Sequence, residues 1–157
     1  MDLGGKRVLT VGMGRSGLAA VELLAAQGAR VQATDLKPLA ELPEAASRLA
    51  RLGVEFHIQS PEVFQAAEVI VISPGVPADL ELLQQARRRG VPVLGEVELA
   101  GQFLQGKIIG ITGSNGKTTT TALAGHLLRG AGVPAQLGGN IGEAACGMVA
   151  ASRPDQW

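Results

Sequence analysis

Seven consecutive residues, Thr112-Gly113-Ser114-Asn115-Gly116-Lys117-Thr118, set two glycines, a lysine and a hydroxyl in the order that phosphate chemistry uses. Glycines let backbone N–H groups converge on phosphate oxygens without a Cβ in the way. A lysine there supplies a point charge toward β- and γ-phosphates, and a hydroxyl next to it suits a Mg²⁺ ligand. The candidate ATP segment is therefore Thr112, Gly113, Ser114, Asn115, Gly116, Lys117, Thr118 and Thr119, with Lys117 as catalytic charge and Thr118 as the metal position. The general pattern wants a glycine at 111, where this chain has Ile111. A plain helix-capping turn is the competing reading of the same residues.

Such a loop needs a strand before it and a helix after it. The apolar run 107–111 predicts the strand, and 118–129 predicts the helix, whose free N–H groups and dipole face the same anion.

A second anion-type turn lies near the start. Gly12-Met13-Gly14-Arg15-Ser16-Gly17 fits G-x-G-x-x-G between a predicted strand and a predicted helix, and Asp35 ends the next strand at the spacing of a ribose-binding acid. Its literal reading is NAD, but the same geometry serves any nucleoside diphosphate. Two further turns follow predicted strands. Ser73-Pro74-Gly75-Val76 reads by itself as a plain connection. In Gly138-Gly139-Asn140-Ile141-Gly142, Asn140 is able to donate an amide to phosphate, although asparagine in a turn is more often there for its backbone tolerance.

The elements around these turns alternate. Strands are predicted at 6–11, 30–34, 54–58, 68–72, 91–94, 107–111 and 133–137. Helices are predicted at 16–27, 43–52, 78–89, 96–104 and 118–129. Strands separated by helices mean a parallel α/β sheet, and a continuous apolar strand such as 69–72 is what a sheet covered on both faces requires.

Composition narrows the function classes. The 157 residues are 46% hydrophobic and 18% charged, which describes a core-forming chain. Net charge is zero and aromatics make up 3%, so nucleic-acid binding is not expected. No apolar run approaches membrane-spanning length and no signal peptide is evident, so a soluble, cytoplasmic protein is expected. Cys146 is the single cysteine and reads as a packed core thiol. Arg87, Arg88 and Arg89 read as the solvated end of a helix. His57 and His126 read as structural.

Taken together, the segments Val11–Gly17, 73–76, 95–99, 111–118 and 138–142 resemble the N-terminal portion of the Mur ligases, across essentially the whole chain. They are most similar to the members that add D-glutamate to UDP-N-acetylmuramoyl-L-alanine, and in that family position 111 is not normally glycine. The resemblance implies a Rossmann-like domain over 1–95 that holds the UDP end of the substrate, then the start of a P-loop ATPase domain over 96–157. A third, amino-acid-binding domain is implied beyond it, so the chain is expected to be an N-terminal fragment, inactive alone and monomeric.

The resemblance also implies roles. Arg15, Ser16, Asp35, Leu36, Lys37, Gly75 and Asn140 would meet the substrate, with Asn140 also near the transferred phosphate. Leu36 stands where the family often has Thr or Ser, so only a backbone contact is expected there. ATP and Mg²⁺ are the implied cofactors, and the implied reaction is amide formation through an acyl phosphate. A sister Mur ligase with another acceptor, and an NAD-dependent oxidoreductase, are the alternative readings. The oxidoreductase leaves 112–118 without a purpose.

Overall fold

A computed structural model describes residues 1–139 and 142–157. Five strands form one parallel sheet: β1 (Arg7–Val11), β2 (Arg30–Asp35), β3 (Glu55–Ile58), β4 (Val69–Ile72) and β5 (Val93–Gly95). Their spatial order is β3-β2-β1-β4-β5, and every pairing is parallel. The chain winds outward from β1 to β3, then returns to the other side of β1 as β4. The order therefore reverses between β1 and β4, which is where ligands settle in open α/β sheets.

The strands alternate their side chains between two packed faces. Val8, Val69 and Val71 pack with Ala20 and Leu24 of α1 (Arg15–Ala26) and with Leu99 of α5 (Glu96–Gly101). Leu9, Val11 and Ile70 pack on the opposite face with Phe64 of α3 (Pro61–Gln65) and with Leu83 and Ala86 of α4 (Glu81–Arg88). A third cluster joins Leu18 and Val21 of α1 to Ala45 and Leu49 of α2 (Pro43–Leu52). Pro43 opens α2 and Gly53 closes it in the left-handed conformation, as the sequence signals imply.

The second half is less regular. α6 (Lys117–Gly130) is the one long helix, and α7 (Ala145–Met148) is a single turn. The strands expected at 107–111 and 133–137 do not form. A strand exists only through pairing, and among the described residues these segments make only a few long-range backbone bonds, all to the last two residues of the chain. Ile108 and Ile109 stay half-exposed or more. Gln156 and Trp157 start such a ladder: the Lys107 N–H donates to the Gln156 carbonyl (2.9 Å), Trp157 N–H to Pro134 (2.9 Å) and Gln136 N–H to Trp157 (3.0 Å).

Other differences are local. α4 begins at Glu81, three residues later than expected, because Pro77 and the turn after it hold 77–80 out of the helix. α3 was not expected, since five residues carry too little periodicity to be read. Arg87, Arg88 and Arg89 do close a helix, but each guanidinium has a partner. Arg87 donates to the Ala78 carbonyl (2.6 Å), Arg88 to Glu81 (2.8 Å) and Arg89 to the Phe64 carbonyl (2.9 Å). Among the described residues no helix is long and apolar enough to cross a membrane.

Candidate nucleotide and phosphate sites

The first site is built at the carboxyl ends of β1, β2 and β4. The chain leaves β1 at Val11, turns through Gly12–Gly14 and enters α1 at Arg15. The first helical bond runs from Leu18 N–H to the Gly14 carbonyl (3.0 Å), so the amides of Arg15, Ser16 and Gly17 have no helical acceptor. Gly14 caps the helix without a side chain, and a Cβ there would meet open space. Such an uncapped N-terminus beside an unobstructed backbone has the geometry of an anion site.

Close packing explains the glycines on either side. Gly12 has φ +88°, and a Cβ on it would lie 2.9 Å from Val76 Cγ2. A Cβ on Gly17 would collide with the Gly12 carbonyl and come within 2.7 Å of Ser73 Oγ. Helix, strand and β4 turn therefore touch where only hydrogen fits. Ser73 is buried, and its hydroxyl donates to the Gly12 carbonyl (2.7 Å). The 73–76 turn is thus part of the crevice wall, which the reading of that segment by itself as a plain connection did not find. Its sequence signal was a serine directly after a buried strand adjacent to β1.

Asp35 ends β2 and takes one backbone amide on each oxygen: Met13 N–H at 2.6 Å and Lys37 N–H at 3.0 Å. Its carboxylate ties the glycine turn to the β2 turn instead of standing free. Leu36 is 75% exposed at the mouth of the crevice, with Lys37 exposed beside it. Arg15 and Gly75 are exposed and Ser16 is half-buried. Arg15, Ser16, Asp35, Leu36, Lys37 and Gly75 therefore come together on three neighbouring strand ends.

The second site is the turn before α6. Gly116 is the N-cap, in the left-handed conformation, with no side-chain cap. The first helical bond is Thr120 N–H to Gly116 (2.9 Å), leaving the amides of Lys117, Thr118 and Thr119 without a helical acceptor. Residues 112–116 are exposed. Lys117 Nζ folds back over the turn and donates to the carbonyls of Gly113 (2.5 Å) and Ser114 (3.4 Å). The ammonium thus sits over the centre of the loop. The Thr118 hydroxyl is exposed and makes no hydrogen bond among the described residues. No group of three or more His, Cys, Asp or Glu side chains is placed to hold a metal among the described residues.

Asn140 lies outside the described residues. Around it, the Gly139 N–H donates to the Glu143 carbonyl (2.8 Å), and Gly138 bridges to Glu143. Leu137 packs so closely on α6 that a Cβ at Gly125 would lie 2.5 Å from its Cδ1. Cys146 is buried, and burial together with the nearby Glu96 carboxylate pushes its thiol pKa up. His57 is half-buried on β3, its Nε2 3.6 Å from Glu55, and His126 is exposed on α6. Neither histidine joins the two sites.

A parallel α/β sheet with a glycine turn at its switch point, followed by a second glycine turn before a helix, defines the class of the chain as a Rossmann-like α/β protein. A family model described as Mur ligase MurD-like, N-terminal domain, matches residues 6–95. The chain belongs to this MurD-like family.

Among curated relatives, UDP-N-acetylmuramoylalanine--D-glutamate ligase of Solibacter usitatus is 59% identical over 157 residues, covering 100% of this chain and 35% of the relative. The ligase of the same description from Koribacter versatilis is 48% identical over 159 residues, covering 100% and 35%. The chain thus spans about a third (35%) of the length of these relatives.

Solved structures support the fold. A UDP-N-acetylmuramate:L-alanyl-gamma-D-glutamyl-meso-diaminopimelate ligase from Neisseria meningitides superposes with TM-score 0.55 at 22% identity, covering 90% of this chain and 46% of that one. UDP-N-acetylmuramate-alanine ligase MurC from Thermotoga maritima superposes with TM-score 0.50 at 24% identity, covering 83% and 30%.

Proposed function

We propose that this chain carries the substrate-nucleotide and ATP-phosphate sites of a cytoplasmic, ATP-dependent ligase of peptidoglycan precursor synthesis. The ligase joins D-glutamate to UDP-N-acetylmuramoyl-L-alanine. Residues 1–95 hold the UDP end of that substrate, and residues 96–157 begin the ATPase domain. The observation that carries this reading is the pair of uncapped helix N-termini in one chain: one at a sheet switch point, one under a lysine and a hydroxyl. The activity for which the curated relatives are named supports the choice of substrates.

In the first site, the amides of Arg15, Ser16 and Gly17 receive the diphosphate, and Arg15 adds charge. Asp35 shapes the turn through the Met13 amide, while Leu36 and Lys37 border the base. Gly75 and its turn wall the other side. In the second site, the amides of Thr112 to Thr119 surround the ATP phosphates. Lys117 leaves the carbonyls of Gly113 and Ser114 to pair with phosphate oxygens, a stronger charge-assisted contact. The free Thr118 hydroxyl is a hard oxygen donor that fits Mg²⁺. When bound, that ion neutralises phosphate charge.

The reaction needs positioning and charge neutralisation more than covalent help from the protein. An oxygen of the L-alanyl carboxylate attacks the γ-phosphorus as the bond to ADP breaks. The D-glutamate nitrogen then attacks the acyl carbon, loses a proton, and inorganic phosphate leaves with the C–O bond electrons. Lys117 and the loop amides bear the charge that builds on the transferred group. Asn140 is assigned here, by resemblance to the family alone, to the substrate and the transferred phosphate.

Calorimetric titration tests the reading. The chain is expected to bind UDP-N-acetylmuramoyl-L-alanine and not NADH. NADH binding displaced by neither UDP nor the UDP-sugar would overturn the assignment. The acceptor is tested in a ligase of full relative length carrying this chain, where phosphate release from ATP is expected to depend on D-glutamate and not on meso-diaminopimelate.

A further inference from the structure

Glu96 is a buried carboxylate that neither site uses. It is 2% exposed and directly follows β5, so it stands at the crevice end of the sheet. Its Oε1 accepts the backbone N–H of Cys146 at 2.7 Å, fifty residues away in sequence, and its carbonyl accepts the Cys146 thiol at 3.4 Å. Both contacts are buried. A carboxylate is costly to desolvate, and its removal would strand the Cys146 amide in an apolar setting.

What this contact holds is the seat of the third glycine turn. Cys146 lies in α7, whose Ala145 and Cys146 pack with α1 and α5 in the same core as Leu24 and Leu99. Met148, in the same turn of helix, lies against Gly138 so closely that a Cβ on Gly138 would collide with its sulfur. That Cβ would also fall 2.7 Å from the Glu143 carbonyl, which already accepts the Gly139 amide. On the other side, Leu137 is pressed on Gly125 of α6, the helix that carries the phosphate loop. A continuous line of contacts therefore runs from the sheet end at Glu96, through α7 and Gly138–Gly139, to α6.

We propose that Glu96 is a positioning residue: by holding α7 to the end of β5, it fixes Gly138 and Gly139, which lie against α7, relative to the helix that carries the phosphate loop. This rests on the ligase reading given above. That reading sets Asn140, the residue after Gly139, beside the substrate and the transferred phosphate, and gives the UDP end to the first turn.

The test compares Glu96→Ala with Glu96→Gln, which keeps a carbonyl oxygen at the same reach. For Glu96→Ala, affinity for UDP-N-acetylmuramoyl-L-alanine is expected to fall about tenfold, the loss typical of a hydrogen bond to a charged group. Affinity for free UDP is expected to hold. Amide hydrogen exchange over 139–148 is expected to quicken by a similar factor, while β1 and β4 keep their protection. Glu96→Gln is expected to stay within about threefold of the parent in every readout.

Equal losses for UDP and the UDP-sugar would overturn the proposal, since they mean a general loss of structure. So would unchanged exchange over 139–148 in Glu96→Ala. If the parent chain binds neither nucleotide, the ligase reading fails by itself, and the exchange comparison still decides whether Glu96 holds the turn.

Discussion

The two phosphate-type turns of this chain differ in what holds them. The Gly12–Gly17 turn is fastened from three sides, by Ser73, by Asp35 and by the close fit at Gly17, above strands with almost no exposure. The Thr112–Thr118 turn is fastened mainly by its own lysine, after a segment with no strand partner and with Ile108 61% exposed. A phosphate turn therefore has two separable requirements. Its local shape comes from glycines and a helix start, which nearby residues supply. Its rigidity comes from a buried ladder beneath it, which only distant residues supply.

The largest effect should come from the self-fastened turn. Lys117→Ala removes both the charge for phosphate and the contacts to Gly113 and Ser114. ATP affinity is expected to drop by about a hundredfold, the upper end for a charge-assisted contact. Equal titration curves for parent and variant would remove the distinction between the turns. UDP affinity should stay put in the same variant.

Next comes Gly17→Ala. The added methyl collides with the Gly12 carbonyl, so destabilisation of about 2–4 kcal/mol is expected from overpacking of backbone that cannot yield. Thermal unfolding reads it, and an unchanged Tm would mean the first turn is looser than its contacts imply. Ser73→Ala is milder: losing one hydroxyl-to-carbonyl bond should lower stability by about 1 kcal/mol, seen as a small shift of the urea midpoint.

The smallest effect concerns pH. Burial and Glu96 push the Cys146 thiol above its ordinary value of 9.0, so the native state keeps its proton when the unfolded chain has lost it. The unfolded state then binds fewer protons, so the thiol's contribution to stability is constant below pH 9.0 and falls as pH rises past it. Cys146→Ala should flatten that alkaline slope, measured by denaturant unfolding across pH 7 to about 10.5.

Much of the fold was legible because the signals were local. Pro43 and Gly53 bracket α2, and the apolar run at 69–72 forms the buried β4. The order of glycine turns along the chain also identified both candidate sites. What stayed hidden depends on partners far apart in sequence. An apolar run at 107–111 looks like a strand, but a strand is a pairing and not a composition, and few partners face it. Nothing in the sequence near Asp35 says that its carboxylate turns back to the Met13 amide. Nor does Gly95-Glu96 announce that Glu96 reaches Cys146. α3 was missed because one turn of helix leaves no periodicity.

Amide chemical-shift mapping of the ¹⁵N-labelled chain addresses the central claim most directly. UDP-N-acetylmuramoyl-L-alanine is expected to perturb the amides of 12–17, 35–37 and 73–76, and a nonhydrolysable ATP analogue those of 113–119. Perturbation of the same turn by both ligands, or of neither by the ATP analogue, would contradict an account built on two separate anion sites.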